Sequence, residues 1–188
     1  MRRQVRLTSR RLSLSIVYLT KMIKAVMVIS TTGKPRFSKF YESQSPEKQQ
    51  EFIRHVYAVL SNRPGDVSNF VQGIGSVFGS DTQLVYKHYA TLYFVLLFDN
   101  SENELAMLDL IQVLVETLER CFKNVCELDI IFNYSKMHAI LDEIILGGQV
   151  QGTDSFELMK AVEEITKLES ASTASKIVAK LVSSWWAR

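Results

Sequence analysis

The sequence predicts an α+β domain in which one five-stranded antiparallel sheet is sandwiched by helices. Three observations lead there. Thr91 to Phe98 (TLYFVLLF) is an unbroken run of β-branched, aromatic and aliphatic residues closed by Asp99-Asn100. Such a run reads as a strand covered on both faces, hence the middle of a sheet. Upstream stand shorter strand patterns grouped around turn residues. From Ser101 onward the apolar period changes from two to about 3.6, the spacing of helices that must cover the sheet.

In order, residues 22–30 (MIKAVMVIS) and 35–41 (PRFSKFY) flank Thr31-Thr32-Gly33-Lys34 and read as a hairpin with Gly33 free to take a positive φ. Ser45-Pro46-Glu47 opens a helix with an N-cap hydroxyl, a proline at the first helical position and an acid in the first turn. Its apolar stripe is Phe52, Ile53, Val56, Val59 and Leu60, and Arg63-Pro64-Gly65-Asp66 ends it. Residues 67–71 form a short strand candidate. The glycine-bearing stretch 72–82 reads as a flexible insertion, and 83–88 and 91–98 as a second hairpin. Ser101-Glu102-Asn103-Glu104 reads as a capping box for a helix to about Phe122. That helix has two apolar stripes, one through Leu105, Leu108, Ile111, Val115, Leu118 and Phe122, the other through Met107, Leu110 and Leu114, so it faces more than one neighbour. A corner at 124–127 leads to a helix over 128–146 with Leu128, Ile131, Phe132, Leu141 and Ile145 inward, stopped by Gly147-Gly148. Thr153-Asp154 starts a last helix through Leu158, Val162, Ile165 and Leu168. Residues 170–188 read as a flexible tail, in which Ile177, Val178, Leu181, Val182, Trp185 and Trp186 at helical spacing allow a small amphipathic helix.

With 188 residues, 47% hydrophobic and 22% charged, the chain is one domain with enough apolar material for a core. Cys121 and Cys126 lack metal-site spacing, and His55, His88 and His138 are scattered, so neither a disulfide framework nor a zinc site is expected. The net charge of +2 is unevenly spread: residues 1–21 hold six cations and no acid, leaving −4 on the rest. An acidic body argues against nucleic-acid binding. The longest apolar run in segment 1–21 is too short for a membrane-spanning helix. The segment's Arg- and Ser-rich composition fits either an upstream extension of a domain starting at Met22 or a transit-like segment.

Catalytic patterns are missing. Thr32-Gly33-Lys34-Pro35 evokes a phosphate-binding loop, but Val28 and Pro35 stand where that loop needs a glycine and a hydroxyl. The glycines at 73, 75 and 79 echo a dinucleotide fingerprint without a crossover helix after them. Cys126 reads as a small, half-buried apolar cysteine rather than a nucleophile served by His88 or His138. No enzyme, metal or cofactor is expected.

Five blocks together resemble the small (sigma) subunits of the clathrin-type adaptor complexes: residues 22–41, the SPEKQQE helix start, VYKHYATLYFVLLFD at 85–99, residues 102–134, and MHAILDEIILGGQV at 137–150. Within that family KPRFSKFY, the 72–82 insertion and SENELAMLDLIQV are most similar to the sigma subunit of the third, delta-containing complex, in its plant branch. The resemblance implies a longin-like domain over 22–169. It implies a non-catalytic subunit of a heterotetramer with delta-type and beta-type large chains and a mu-type medium chain, working on the cytoplasmic face of Golgi and endosomal membranes and their vesicles. It further implies that the chain stabilises a large partner and helps receive acidic dileucine sorting signals from the cytosolic tails of membrane cargo. Carried over residue by residue, the leucine pockets fall on Ala90 and Leu92 in the central strand, Val115 on the long helix, and Asn124, Val125 and Leu128 at the corner. By the same carry-over Arg36, in the GKPR turn, matches the family's basic residue near the signal's acidic side chain. Burying a leucine is worth roughly 1.5–3 kcal/mol. Two leucines and one charge-assisted contact, less the ordering cost, give roughly micromolar binding. A free-standing longin regulator or tether without a cargo pocket is the competing expectation, and a nucleotide-binding enzyme the third.

Overall fold

The computed structural model describes residues 23–64, 67–72, 74–122, 125–152, 157–164 and 167. The basic segment 1–21, the tail 170–188 and Asn124 lie outside these described residues, as do the expected helix start at Thr153-Asp154 and Ile165 and Leu168.

Strands β1 (Ile23–Ser30) and β2 (Pro35–Phe40) form the first hairpin. Gly33 in its turn has φ +83°, and a Cβ there would sit 2.7 Å from the Tyr57 ring. The turn therefore needs glycine for both its backbone and its neighbour. Helix α1 (Pro46–Ser61) begins as expected, with the Ser45 hydroxyl accepting from the Lys48 amide. After β3 (Phe70–Val71) and the single helical turn α2 (Gly75–Phe78) come β4 (Thr82–Tyr89) and β5 (Leu92–Asp99). Then follow α3 (Glu104–Phe122), α4 (Glu127–Phe132), α5 (Tyr134–Ile144), the hairpin β6 (Ile145–Leu146) and β7 (Gln149–Val150), and a helical stretch over 157–164.

The five longer-range strands make one sheet in the order β2-β1-β5-β4-β3, every pair antiparallel. The apolar run is its central strand, as its two-sided hydrophobicity requires. Alternation along β5 sends Val95 and Leu97 to one face and Phe94, Leu96 and Phe98 to the other. The first face is closed by Ile53, Val56 and Leu60 of α1 with Ile74. The second is closed by Ile111, Leu114 and Leu118 of α3, Ile140, Leu141 and Ile144 of α5, and Leu158 and Val162. Strand β1 obeys the same alternation except at a bulge between Ile23 and Ala25, which lets both end buried on opposite faces.

Several expectations are corrected. The 72–82 stretch is not simply a flexible insertion: Ile74 is buried in the core, and Phe78 packs on Phe52 with ring centroids 4.4 Å apart. Apolar residues among the glycines pin it down. The strand at 67–71 shrinks to Phe70–Val71. The capping box at Ser101 is not formed, because the Ser101 amide and hydroxyl bond to the Asp99 carboxylate. The Asn103 side chain accepts from the Leu105 and Ala106 amides instead and caps α3. Leu105, in the first turn, is 64% exposed, and the buried stripe starts at Met107. The single helix over 128–146 is two. Asn133 leaves helical geometry (φ −111°, ψ 39°), and its side-chain amide donates to the Asp129 carbonyl at 2.9 Å. The break resets the helical phase, so Leu128, Ile131 and Phe132 face outward and Ile130 is the buried residue of α4. Ile145 is buried as expected but belongs to β6.

Candidate functional site

The two hairpin turns lie side by side at one end of the sheet. The Thr31 amide donates to the Thr91 carbonyl at 2.8 Å, which joins the β1–β2 turn to the β4–β5 turn. The second turn consists of Ala90 and Thr91 alone, since Tyr89 and Leu92 are the last paired residues. Ala90 is thus a turn residue rather than part of the central strand. Its φ of +50° lies in the left-handed region, which costs an L-residue roughly 1–2 kcal/mol. With only two residues to reverse the chain, a positive φ is what matches the twist of the flanking strands.

Helix α4 packs against β2 beside these turns. Its first residue, Glu127, meets Arg36 of β2: Arg36 Nη2 stands 2.6 Å from Glu127 Oε2, and Nε donates to the same oxygen at 2.9 Å. The Thr91 hydroxyl, Arg36 and Lys34 hold the Glu127 carboxyl below its ordinary range. Leu128, next in the chain, is 59% exposed. Arg36, Thr91, Glu127 and Leu128 are therefore gathered at one end of the molecule, with Ala90 and Leu92 flanking Thr91.

The other expected pocket residues are placed differently. Leu92 and Val115 are each 3% exposed and belong to the same core layer, so in this conformation both are core rather than open wall. Val125 is half-buried and packs against that layer. Glu127 and Thr91 were not singled out by sequence reasoning. The partner of an arginine ninety-one residues away is set by which helix end lands on which strand, and no local pattern carries that.

Beside the site, His138 of α5 lies against Phe37 (4.7 Å between ring centroids) and Tyr134 (4.5 Å), and Lys39 pairs with Asp142. Burial, then the Lys39 charge, lowers the imidazole pKa, against a smaller opposing pull from Asp142. Cys126 is exposed rather than half-buried; it stands at the N-cap of α4, its amide donating to the Asp129 carboxylate at 3.0 Å. Cys121 is the half-buried cysteine, and burial raises its pKa, the opposite of nucleophile activation. Among the described residues no cluster of His, Cys, Asp and Glu could hold a metal ion, and no helix is long and apolar enough to cross a membrane.

A five-stranded antiparallel sheet in this order, with α1 on one face and the later helices on the other, defines a longin-like adaptor small chain. The chain belongs to the clathrin adaptor complex small chain family, whose model matches residues 22–169. It is 68% identical to the AP-3 complex subunit sigma of Arabidopsis thaliana over 167 residues, covering 89% of this chain and all of that protein. It is 46% identical to the human AP-3 complex subunit sigma-2 over 150 residues, 80% of this chain and 78% of the relative. Among solved structures it matches a chain of a homology model of the full-length AP-3 complex in a stretched open conformation. That match has a TM-score of 0.65 at 36% identity and covers 82% of this chain and 99% of the other. Adaptor small chains are components of transport coats, not catalysts, and this chain is accordingly not an enzyme.

Proposed function

We propose that this chain is the sigma-type small subunit of an AP-3-type adaptor heterotetramer in vesicle-mediated protein transport. In that complex it stabilises a delta-type large chain, alongside beta-type and mu-type subunits. With the large chain it receives acidic dileucine signals from the cytosolic tails of membrane cargo, on the cytoplasmic face of Golgi and endosomal membranes and their vesicles. The observation that carries the reading of the site is the gathering of Arg36, the Ala90-Thr91 turn and exposed Leu128 at one sheet end. The 68% identity to a plant AP-3 sigma subunit along that relative's whole length supports the assembly role.

In this reading the guanidinium of Arg36 meets the signal's acidic side chain, as a planar fork suited to carboxylates. Leu128 and Val125 supply apolar surface for a leucine, and Leu92 and Val115 lie in the packed layer that backs it. The exposed faces of α4 at Leu128, Ile131 and Phe132 (79% exposed) add apolar surface that a large subunit would cover. Co-expression with a delta-type large chain tests the assembly: the reading expects a stoichiometric complex that is more soluble than the chain by itself. A stable monomer that ignores large chains and engages a small GTPase would instead establish a free-standing regulator.

A further inference from the structure

The Arg36 guanidinium is already committed. Its Nε and Nη2 both point at one oxygen of Glu127, at 2.9 Å and 2.6 Å, and both side chains are largely shielded, at 20% and 26% exposure. Glu127 is tied in by more than this pair: Thr91 and Lys34 also favour its ionised form. It reaches Arg36 from the same short helix that presents exposed Leu128 one residue later. A carboxylate in this place, beside an exposed leucine, has the chemistry expected of the signal's own acidic residue.

We propose that Glu127 is an internal competitor for the acidic side chain of the sorting signal and sets how strongly the site distinguishes an acidic from a neutral residue there. The inference rests on the reading of this end of the sheet as the signal site. A guanidinium has five N–H donors, so a second carboxylate can approach its remaining edge, but it then stands beside the Glu127 charge. An incoming acid must displace Glu127 or endure that repulsion, while a neutral side chain does neither. Glu127 therefore lowers affinity selectively for acidic signals, keeping binding weak and reversible until the partner chains and the peptide together outcompete it. Arg36 is not left as an unpaired, partly buried charge when no cargo is bound.

The test uses the assembled complex and two synthetic peptides of one acidic dileucine sequence, one with Glu and one with Gln at the acidic position. The readout is the dissociation constant of the Gln peptide divided by that of the Glu peptide. Glu127→Gln keeps the size of the side chain and an acceptor for Arg36 Nε while removing the charge. The expected result is an increase of that ratio by about two- to fivefold over wild type, from tighter binding of the Glu peptide alone, as a partly exposed ion pair allows. Arg36→Gln in either background should bring the ratio to about one. A ratio that stays unchanged or falls in Glu127→Gln, with wild-type binding of both peptides intact, overturns the competitor and leaves the signal site standing. Failure of the wild-type complex to bind either peptide overturns both.

Discussion

The Thr31 amide donates to the Thr91 carbonyl at 2.8 Å, extending the β1–β5 ladder past its Ser30–Leu92 pair to join two hairpin turns sixty residues apart in the chain. Thr31 lies beside the turn glycine, Gly33, and Thr91 beside Ala90 and Leu92. The sheet end that holds Arg36 and Glu127 is thus built from turns whose backbone conformations are both out of the ordinary, at φ +83° and φ +50°. Gly33→Ala places a methyl 2.7 Å from the Tyr57 ring and forces an L-residue into the left-handed region. It is expected to destabilise the fold by about 1–3 kcal/mol, measured by urea unfolding of the wild-type and variant chains side by side.

At Ala90, too, glycine is the better-tolerated residue and a branched side chain the worse one. Ala90→Gly relieves the positive φ but loosens the unfolded chain, and the two effects offset to within about 1 kcal/mol. Ala90→Val puts a β-branched residue at φ +50° and is expected to cost about 1–3 kcal/mol. Equal unfolding midpoints for the glycine and valine variants would show that the turn is not held in this conformation.

Leu118 and Leu128 separate core from surface. Leu118 is fully buried between α3 and the sheet, so Leu118→Ala is expected to cost about 2–5 kcal/mol. Leu128→Ser alters an exposed side chain and should shift stability by no more than about 0.5 kcal/mol. Thermal unfolding of both variants checks the pair. Val115→Asp would bury a charge in the core and unfold the chain, which makes it a poor probe of binding.

The pH response has two parts with defined signs. His138 has its pKa lowered in the folded chain from the ordinary 6.5. The unfolded chain therefore takes up the proton first as pH falls, so His138 contributes stability that is full above 6.5 and lost below it, toward the folded pKa. His138→Phe should flatten the stability profile between pH 7 and pH 5. Glu127 is lowered from 4.5, so its contribution is full above that value and lost only as pH falls below it. Acidification from pH 7 to pH 5 should leave the Arg36–Glu127 contact closed, which an Arg36→Gln profile parallel to wild type over that range would verify.

How much of this was legible beforehand follows from the range of each signal. The central strand, the Gly33 turn and the Ser45 cap are read from residues within a few positions of one another, and all three stand in the structure as the sequence reads. The break at Asn133 was not legible. A single residue's backbone angles redirect the phase of everything before it, and Leu128, Ile131 and Phe132 consequently turn outward. The hairpin reading leaves Ala90 between its two strands and only the resemblance sets it in the central strand; its positive φ is not legible, because alanine carries no turn signal where glycine or asparagine would. For the candidate site, the resemblance singles out Arg36 and Leu128, which lie at the same end of the sheet, Leu128 one residue after the Glu127 that Arg36 meets. Glu127, which changes what Arg36 can do, is brought to it only by the packing of α4 against β2.

The central claim is that the Arg36–Leu128 end of the sheet receives an acidic dileucine signal within an assembled adaptor. Isothermal titration of a D/E-x-x-x-L-L/I peptide into the co-expressed complex, wild type against Leu128→Ser, tests it most directly. The expected result is roughly micromolar binding by wild type and a loss of about tenfold or more in the variant, with its unfolding midpoint unchanged. Equal affinities in the two complexes, or no binding by either, would contradict the claim.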